Sequence, residues 1–179
     1  MMERLRYLSS IVADVGEIFL YVAPVTCVPL IVALIFAEWH MLLPMAAVPA
    51  ILFVLGIVLR SLPRHERGVR LSMAFCSVAL FLLLAPLVSA VPFILGAQMS
   101  PVDALFEAMA GWTGTAFTMM QSLDSAPRTL LFWRSFMQWV GGIGIIAFAI
   151  AIGSSTGLFR SKIFRTESRD EPFLPTLVT

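Results

Sequence analysis

Apolar runs long enough to cross a bilayer constrain this chain more than any other feature. Residues 18 to 37, 41 to 59 and 71 to 95 are each almost wholly apolar, and a helix of about 20 such residues spans the hydrocarbon core. A fourth run, 130 to 152, qualifies when Arg134 and Gln138 lie near its outer end. With 59% hydrophobic and 13% charged residues and a mean hydropathy of +0.92, the chain lies far from the roughly 25% charged residues of a soluble domain. The expected fold is all-α and integral to the membrane. A cleavable signal peptide does not fit the first run, because Asp14 and Glu17 precede it and no A-x-A-like site follows.

The net charge of +1 conceals an asymmetry. Arg4 and Arg6 precede the first span, Arg60, Arg64, Arg67 and Arg70 follow the second, and Arg160, Lys162, Arg165 and Arg169 follow the fourth. Only Arg128 and Arg134 remain for the other side. By the positive-inside rule, both termini and the 60 to 70 loop are expected in the cytoplasm, with 38 to 40 and 96 to 129 outside, in a multi-pass protein of the cell membrane. A basic stretch beside two spans is a topology signal or an anionic-lipid contact, so membrane lipid is expected as a partner and nucleic acid is not.

Four segments follow. Residues 1 to 60 read as an N-terminal helical hairpin with an amphipathic lead-in, in which Pro24, Pro29, Pro44 and Pro49 predict kinks. Residues 61 to 70 form a polar loop with Pro63 and Gly68, and 154 to 179 form a basic tail. Between them, 71 to 153 is one unit of span, short segment, turn and span. The short segment, 101 to 111, opens on Ser100, Pro101 and Asp103, which is N-cap, first-turn proline and first-turn acid in order. At about 15 Å it covers half the hydrocarbon thickness. With both ends outside, the loop over 100 to 120 must enter the membrane and return.

Residues 110 to 119, AGWTGTAFTM, carry no charge. A half-helix entering from outside turns its partly negative C-terminus toward the membrane centre, where cations are favoured. Thr113, Gly114, Thr115 and Ala116, read as extended, can turn carbonyls and hydroxyls to an axis, as cation filters do. The alternative is an ordinary external loop with Thr and Gly as turn formers; the capped half-helix between two spans favours the filter.

DALFEAMAGWTGTAFTM (103 to 119) and SLDSAPRTLLFWRSFMQWVGGIGIIAF (122 to 148) resemble the first pore loop and following helix of the Trk/Ktr/HKT potassium-transporter superfamily, in particular its Trk-type membrane subunit. The resemblance implies four successive span, pore-helix, span units around one pore. This chain holds the first, and its tail is similar to the start of the linker to the second. It further implies transport of potassium or another monovalent cation with no bound cofactor, 113 to 116 as one quarter of a selectivity filter, a homodimer of the full subunit, and a cytoplasmic nucleotide-binding regulatory subunit. The family's filter usually has glycine where Ala116 stands. In the plant relatives a serine at the matching position goes with sodium preference, so cation passage is the broader expectation and potassium the narrower one. The alternatives are a truncated, non-conducting membrane fragment or interaction subunit, or a homotetramer of the short chain.

Glu107 lies one turn deeper than Asp103 and needs a partner; Arg134 is the candidate, at the pore mouth or as support for the loop. Gly141, Gly142 and Gly144 serve close helix packing or line the pathway as a gate. Trp133, Trp139, Phe132 and Phe136 read as an interfacial belt. Gly142 to Ala147 match G-x-G-x-x-A only formally, because the match lies inside a span. Cys27 and Cys76 sit in separate spans, and His40 and His65 are isolated. No metal-ligand or catalytic constellation arises, and an enzyme is not expected.

Overall fold

The computed structural model describes residues 2–64, 71–115, 117–120 and 122–155, and every regular element among them is an α-helix. In order these are α1 (Met2–Val25), α2 (Val28–Ile35), α3 (Trp39–Arg60), α4 (Leu71–Ser89), α5 (Val91–Ala97), α6 (Pro101–Thr113) and α7 (Arg128–Ser155). Tyr7–Ile35, Trp39–Arg60, Ser72–Ala97 and Arg128–Ile150 are long and apolar enough to cross a membrane. Two compact units divide the chain at Gly142 and Ile143, and the packing and the site described below lie within the first. In the second unit, α7 continues as helix to Ser155 with Ile143, Ile145, Ile146 and Ile150 exposed. Ala116, His65, Arg67, Arg70 and residues 156 to 179 with their basic cluster lie outside the described residues.

The first span starts at Tyr7 rather than residue 18. Asp14 and Glu17 do not interrupt it, because Arg64 reaches back from beyond α3. Its Nη2 donates to Glu17 Oε2 at 2.5 Å and to the Ala13 carbonyl at 3.3 Å. Proline then divides the long spans. Pro29 has no N–H to give, and between α1 and α2 the chain turns through Thr26 and Cys27, with the Thr26 hydroxyl donating to the Ala23 carbonyl at 2.7 Å. A second break falls at Ala90, just before Pro92: the Phe93 and Ile94 amides both donate to the Ala90 carbonyl, at 3.0 and 3.1 Å, which leaves the Ser89 carbonyl without its helical donor.

α1 and α3 cross closely at Gly16, where a Cβ would lie 2.5 Å from the Arg60 amide nitrogen. Phe19, Met41, Met45, Leu52, Phe81, Phe93, Trp112 and Trp133 fill the core. Ile51, Phe53, Val54, Ile57 and Val58 of α3 stay exposed, an apolar surface suited to lipid rather than water. Polar ties sort to the two ends of the bundle. At one end Ser9 Oγ donates to the Pro63 carbonyl at 3.0 Å and the Tyr7 hydroxyl meets Ser72 Oγ at 3.1 Å. At the other, Glu38 meets the start of α7.

Candidate functional site

α6 begins as its sequence predicts. Ser100 has extended backbone, its Oγ accepts from the Asp103 amide at 3.2 Å and donates to Asp103 Oδ2 at 2.7 Å, and Pro101 opens the first turn. Asp103 is therefore spent on the cap and the helix dipole. At thirteen residues and 1.5 Å per residue, α6 is about 20 Å long, still too short to cross. Ala104, Glu107, Ala108, Ala110, Gly111 and Trp112 are buried. It is a core helix held among spans.

Its far end is a Schellman turn, which corrects the extended reading of Thr113 and Gly114. Thr113 is the last helical residue and its hydroxyl donates back to the Met109 carbonyl at 2.8 Å. Gly114 follows with φ +70° and is the only residue of the motif in the left-handed region, where glycine pays no Cβ penalty. The Gly114 amide donates to the Gly111 carbonyl at 3.1 Å and the Thr115 amide to the Ala110 carbonyl at 3.2 Å, the paired bonds of that motif. Thr113, Gly114 and Thr115 are exposed, and among the described residues no donor claims their carbonyls. The helix therefore ends with capped carbonyls behind it and unclaimed carbonyls ahead.

The chain then doubles back. Met119, Met120, Ser122, Ser125, Ala126 and Pro127 share a cavity of about 590 Å³ with Ser100 and Asp103 at the start of α6, so the loop returns beside its own entry. Glu107, fully buried, holds the returning segment. Its Oε1 accepts from Thr118 Oγ1 at 2.6 Å and from the Met119 amide, and its Oε2 accepts from Arg134 Nε at 2.8 Å. Arg134 Nη2 donates to the Phe117 carbonyl at 2.8 Å. One carboxylate and one guanidinium thus tie together α6, residues 117 to 119 and α7.

Two indoles, one from α6 and one from α7, converge on Ser89 of α4. Trp112 Nε1 donates to Ser89 Oγ at 2.8 Å, its ring meets Phe81 edge-on at 5.3 Å, and Trp133 Nε1 donates at 3.2 Å to the Ser89 carbonyl that the Phe93 amide leaves free. Trp133 is buried, so it belongs to the core and not to an interfacial belt; Trp139 is exposed. Gly141 touches the site directly, since a Cβ there would lie 2.2 Å from the Trp112 carbonyl oxygen. At Gly142 a Cβ would meet nothing within 4 Å. Gly144 lies in the second unit.

The structure thus brings together Thr113, Gly114, Thr115, Glu107, Arg134 and Gly141. Thr118, Ser89 and Glu38 escaped the sequence reading. Ser89, a hydroxyl within an apolar span, carried a readable signal, since such groups pair across membrane helices. The partner of Thr118 lies eleven residues back with no periodic relation to it.

Membrane-length helices, a capped half-helix too short to cross and a segment that returns beside its start define a membrane protein of the span, pore-loop, span class. The family model for TrkH cation transport proteins matches residues 44–172. The chain belongs to that family, which is one of cation transporters and not of enzymes. It is 30% identical over 173 residues to an uncharacterized cation transporter of Methanocaldococcus jannaschii, covering 96% of this chain and 36% of that one. It is 35% identical over 146 residues to the Trk system potassium uptake protein TrkH of Halomonas elongata, covering 78% and 29%. The crystal structure of the potassium transporter TrkH from Vibrio parahaemolyticus superposes with a TM-score of 0.73 at 30% identity, over 82% of this chain and 32% of that one. The chain therefore spans about a third of the length of these relatives.

Proposed function

We propose that this chain is the first pore unit of a Trk-type subunit that passes potassium across the cell membrane, with residues 113 to 116 as one quarter of its selectivity filter. The observation that carries the reading is the Schellman end of α6: Thr113, Gly114 and Thr115 are exposed and, among the described residues, no donor claims their carbonyls, beyond a half-helix whose C-terminal dipole favours a cation. Residues 61 to 70 and 154 to 179 then act as the loop before the unit and the start of a linker after it. The basic clusters support cytoplasmic termini. The names of the relatives support potassium as the ion. Three more units, from the same chain or from other copies, complete the ring; dimerisation of the full subunit and a cytoplasmic nucleotide-binding regulator belong to the same reading. Glu107 and Arg134 support the loop without touching the ion. Gly141 packs, and Gly142 and Gly144 face the pathway.

The test is Gly114→Val in the complete chain. A Cβ there meets nothing within 4 Å, but a β-branched residue is disfavoured at φ +70°, so the backbone is expected to turn the carbonyls rather than disturb the packing. Potassium uptake by transport-deficient cells should be lost with insertion unchanged. Undiminished uptake would sink the filter assignment.

A further inference from the structure

The N-terminal hairpin reaches the first turn of α7 through its connector. Glu38, in the connector between α2 and α3, accepts from the Arg128 amide through Oε1 at 2.8 Å and from the Thr129 amide through Oε2 at 2.9 Å. These amides open α7 and have no helical acceptor. A carboxylate taking both is a helix cap supplied from ninety residues away in sequence. Two further features aim it there. Ala37, just before it, holds φ at +54°, a left-handed conformation uncommon and strained for a residue with a Cβ. That turn satisfies the end of α2, with the Ala37 amide on the Leu34 carbonyl at 3.2 Å and the Glu38 amide on the Ala33 carbonyl at 2.9 Å. The ring of Phe36 then lies under the Arg128 guanidinium at 4.8 Å, a cation–π contact on the same connector.

α7 is also the helix whose Arg134 holds Glu107 and the Phe117 carbonyl. From Arg128 to Arg134 the helix makes under two turns, and a helix transmits a displacement of its first turn rigidly over that distance. We infer that Glu38 is a positioning residue for the pore loop: by fixing the outer end of α7 it sets where Arg134 stands, and through Arg134 the path of residues 117 to 119. The hairpin then belongs to the selectivity apparatus. This rests on the filter assignment for its functional consequence, but not for its structural one.

The experiment follows hydrogen exchange, resolved by mass spectrometry, across residues 117 to 134 of the full chain in lipid nanodiscs, together with the potassium-to-sodium uptake ratio in cells. Glu38→Ala should speed exchange at the Arg128 and Thr129 amides by about tenfold, the usual worth of a lost cap. It should also speed exchange at the Met119 amide, which Glu107 holds, and shift the uptake ratio. Glu38→Gln, isosteric and keeping one acceptor oxygen, should give smaller changes of the same kind, and it serves where the alanine variant does not insert. Ala37→Gly, which relieves the backbone and leaves the carboxylate in place, should change neither the Met119 amide nor the ratio. Faster exchange confined to residues 128 and 129, with the Met119 amide and the ratio unmoved, makes Glu38 a local cap only and overturns the inference. Absence of ion flux from the wild-type chain would count against the filter assignment, and the exchange at Met119 would still decide the role of Glu38.

Discussion

Arg134→Met is the most informative single change. Among the described residues, Arg134 donates charge-assisted hydrogen bonds to Glu107 Oε2 and to the Phe117 carbonyl, both at 2.8 Å. Its partner carboxylate has 0% of its side chain exposed, while Arg134 itself is 15% exposed. Breaking one side of a buried ion pair costs about 3–5 kcal/mol, because a charge is left buried without its counter-charge. Glu107 keeps two donors, the Thr118 hydroxyl and the Met119 amide, so the lower end, about 3 kcal/mol, is expected. Glu107→Met should cost as much or more, since it also strands those donors. In the double variant the charges vanish together, and its loss should fall short of the sum by about 2 kcal/mol. Exchanging the two charges is not a rescue: an arginine at 107 would point donors at the Met119 N–H. The assay is denaturant-induced unfolding in mixed micelles, read by the fluorescence of the buried Trp112 and Trp133. If the single losses add to within about 0.5 kcal/mol, the pair is not coupled and the account of the loop's support is wrong.

The glycines of α7 should separate sharply. Gly141→Ala sets a methyl 2.2 Å from the Trp112 carbonyl and should destabilise by about 1–3 kcal/mol, as overpacking does, whereas Gly142→Ala should stay within about 0.5 kcal/mol; equal losses in micelle unfolding would refute this packing, and a flux defect confined to Gly142→Ala would report the pathway. Glu38 lies outside the spans. Burial raises its pKa, but the hydrogen bonds from Thr129 and Arg128, with the nearby His40 charge, outweigh that and hold it below its ordinary 4.5. A depressed folded pKa contributes stability that is full above the unfolded value and lost as pH falls through the folded one. The stability gap between wild type and Glu38→Gln should therefore be constant near neutrality and close only below about pH 4.5; a gap that closes above pH 6 would contradict the cap.

The helices were legible in the sequence because each declares itself locally. Apolar length gave the spans, and Ser100, Pro101 and Asp103 gave the start of α6 within a residue. The end of α6 was read two residues early, because Gly111 reads as a stop when taken alone. In the structure Gly111 is a packing position, where a Cβ would meet Met137 Cε at 2.8 Å, and the turn glycine is Gly114. Trp133 looked interfacial because tryptophan near a span end usually is. It is buried, and its indole takes up the Ser89 carbonyl, in a different span, whose helical donor Phe93 turns to Ala90 instead. The early start of α1 was hidden in the same way, since Glu17 is acceptable within a span only once Arg64 answers it.

These misses share a physical cause. In a membrane protein the apolar surface says little about which helix meets which, because lipid competes for every apolar face on nearly equal terms. Specific placement falls to groups that cannot face lipid unpaired: the Ser89 carbonyl, Glu107, Arg64 and the first amides of α7. Each is satisfied by a residue distant in sequence, so no local pattern announces the pairing. The few polar side chains of a span or a short connector therefore mark where its helices join, and here Ser89 and Glu107 are the joints that meet α6 and the segment that returns from it. A loop that had only to connect two spans would leave its polar groups to water. This one is fastened by a buried carboxylate and a guanidinium, with an indole holding the end of α6, while among the described residues no donor claims the Thr113, Gly114 and Thr115 carbonyls, which is the arrangement that the proposed filter requires.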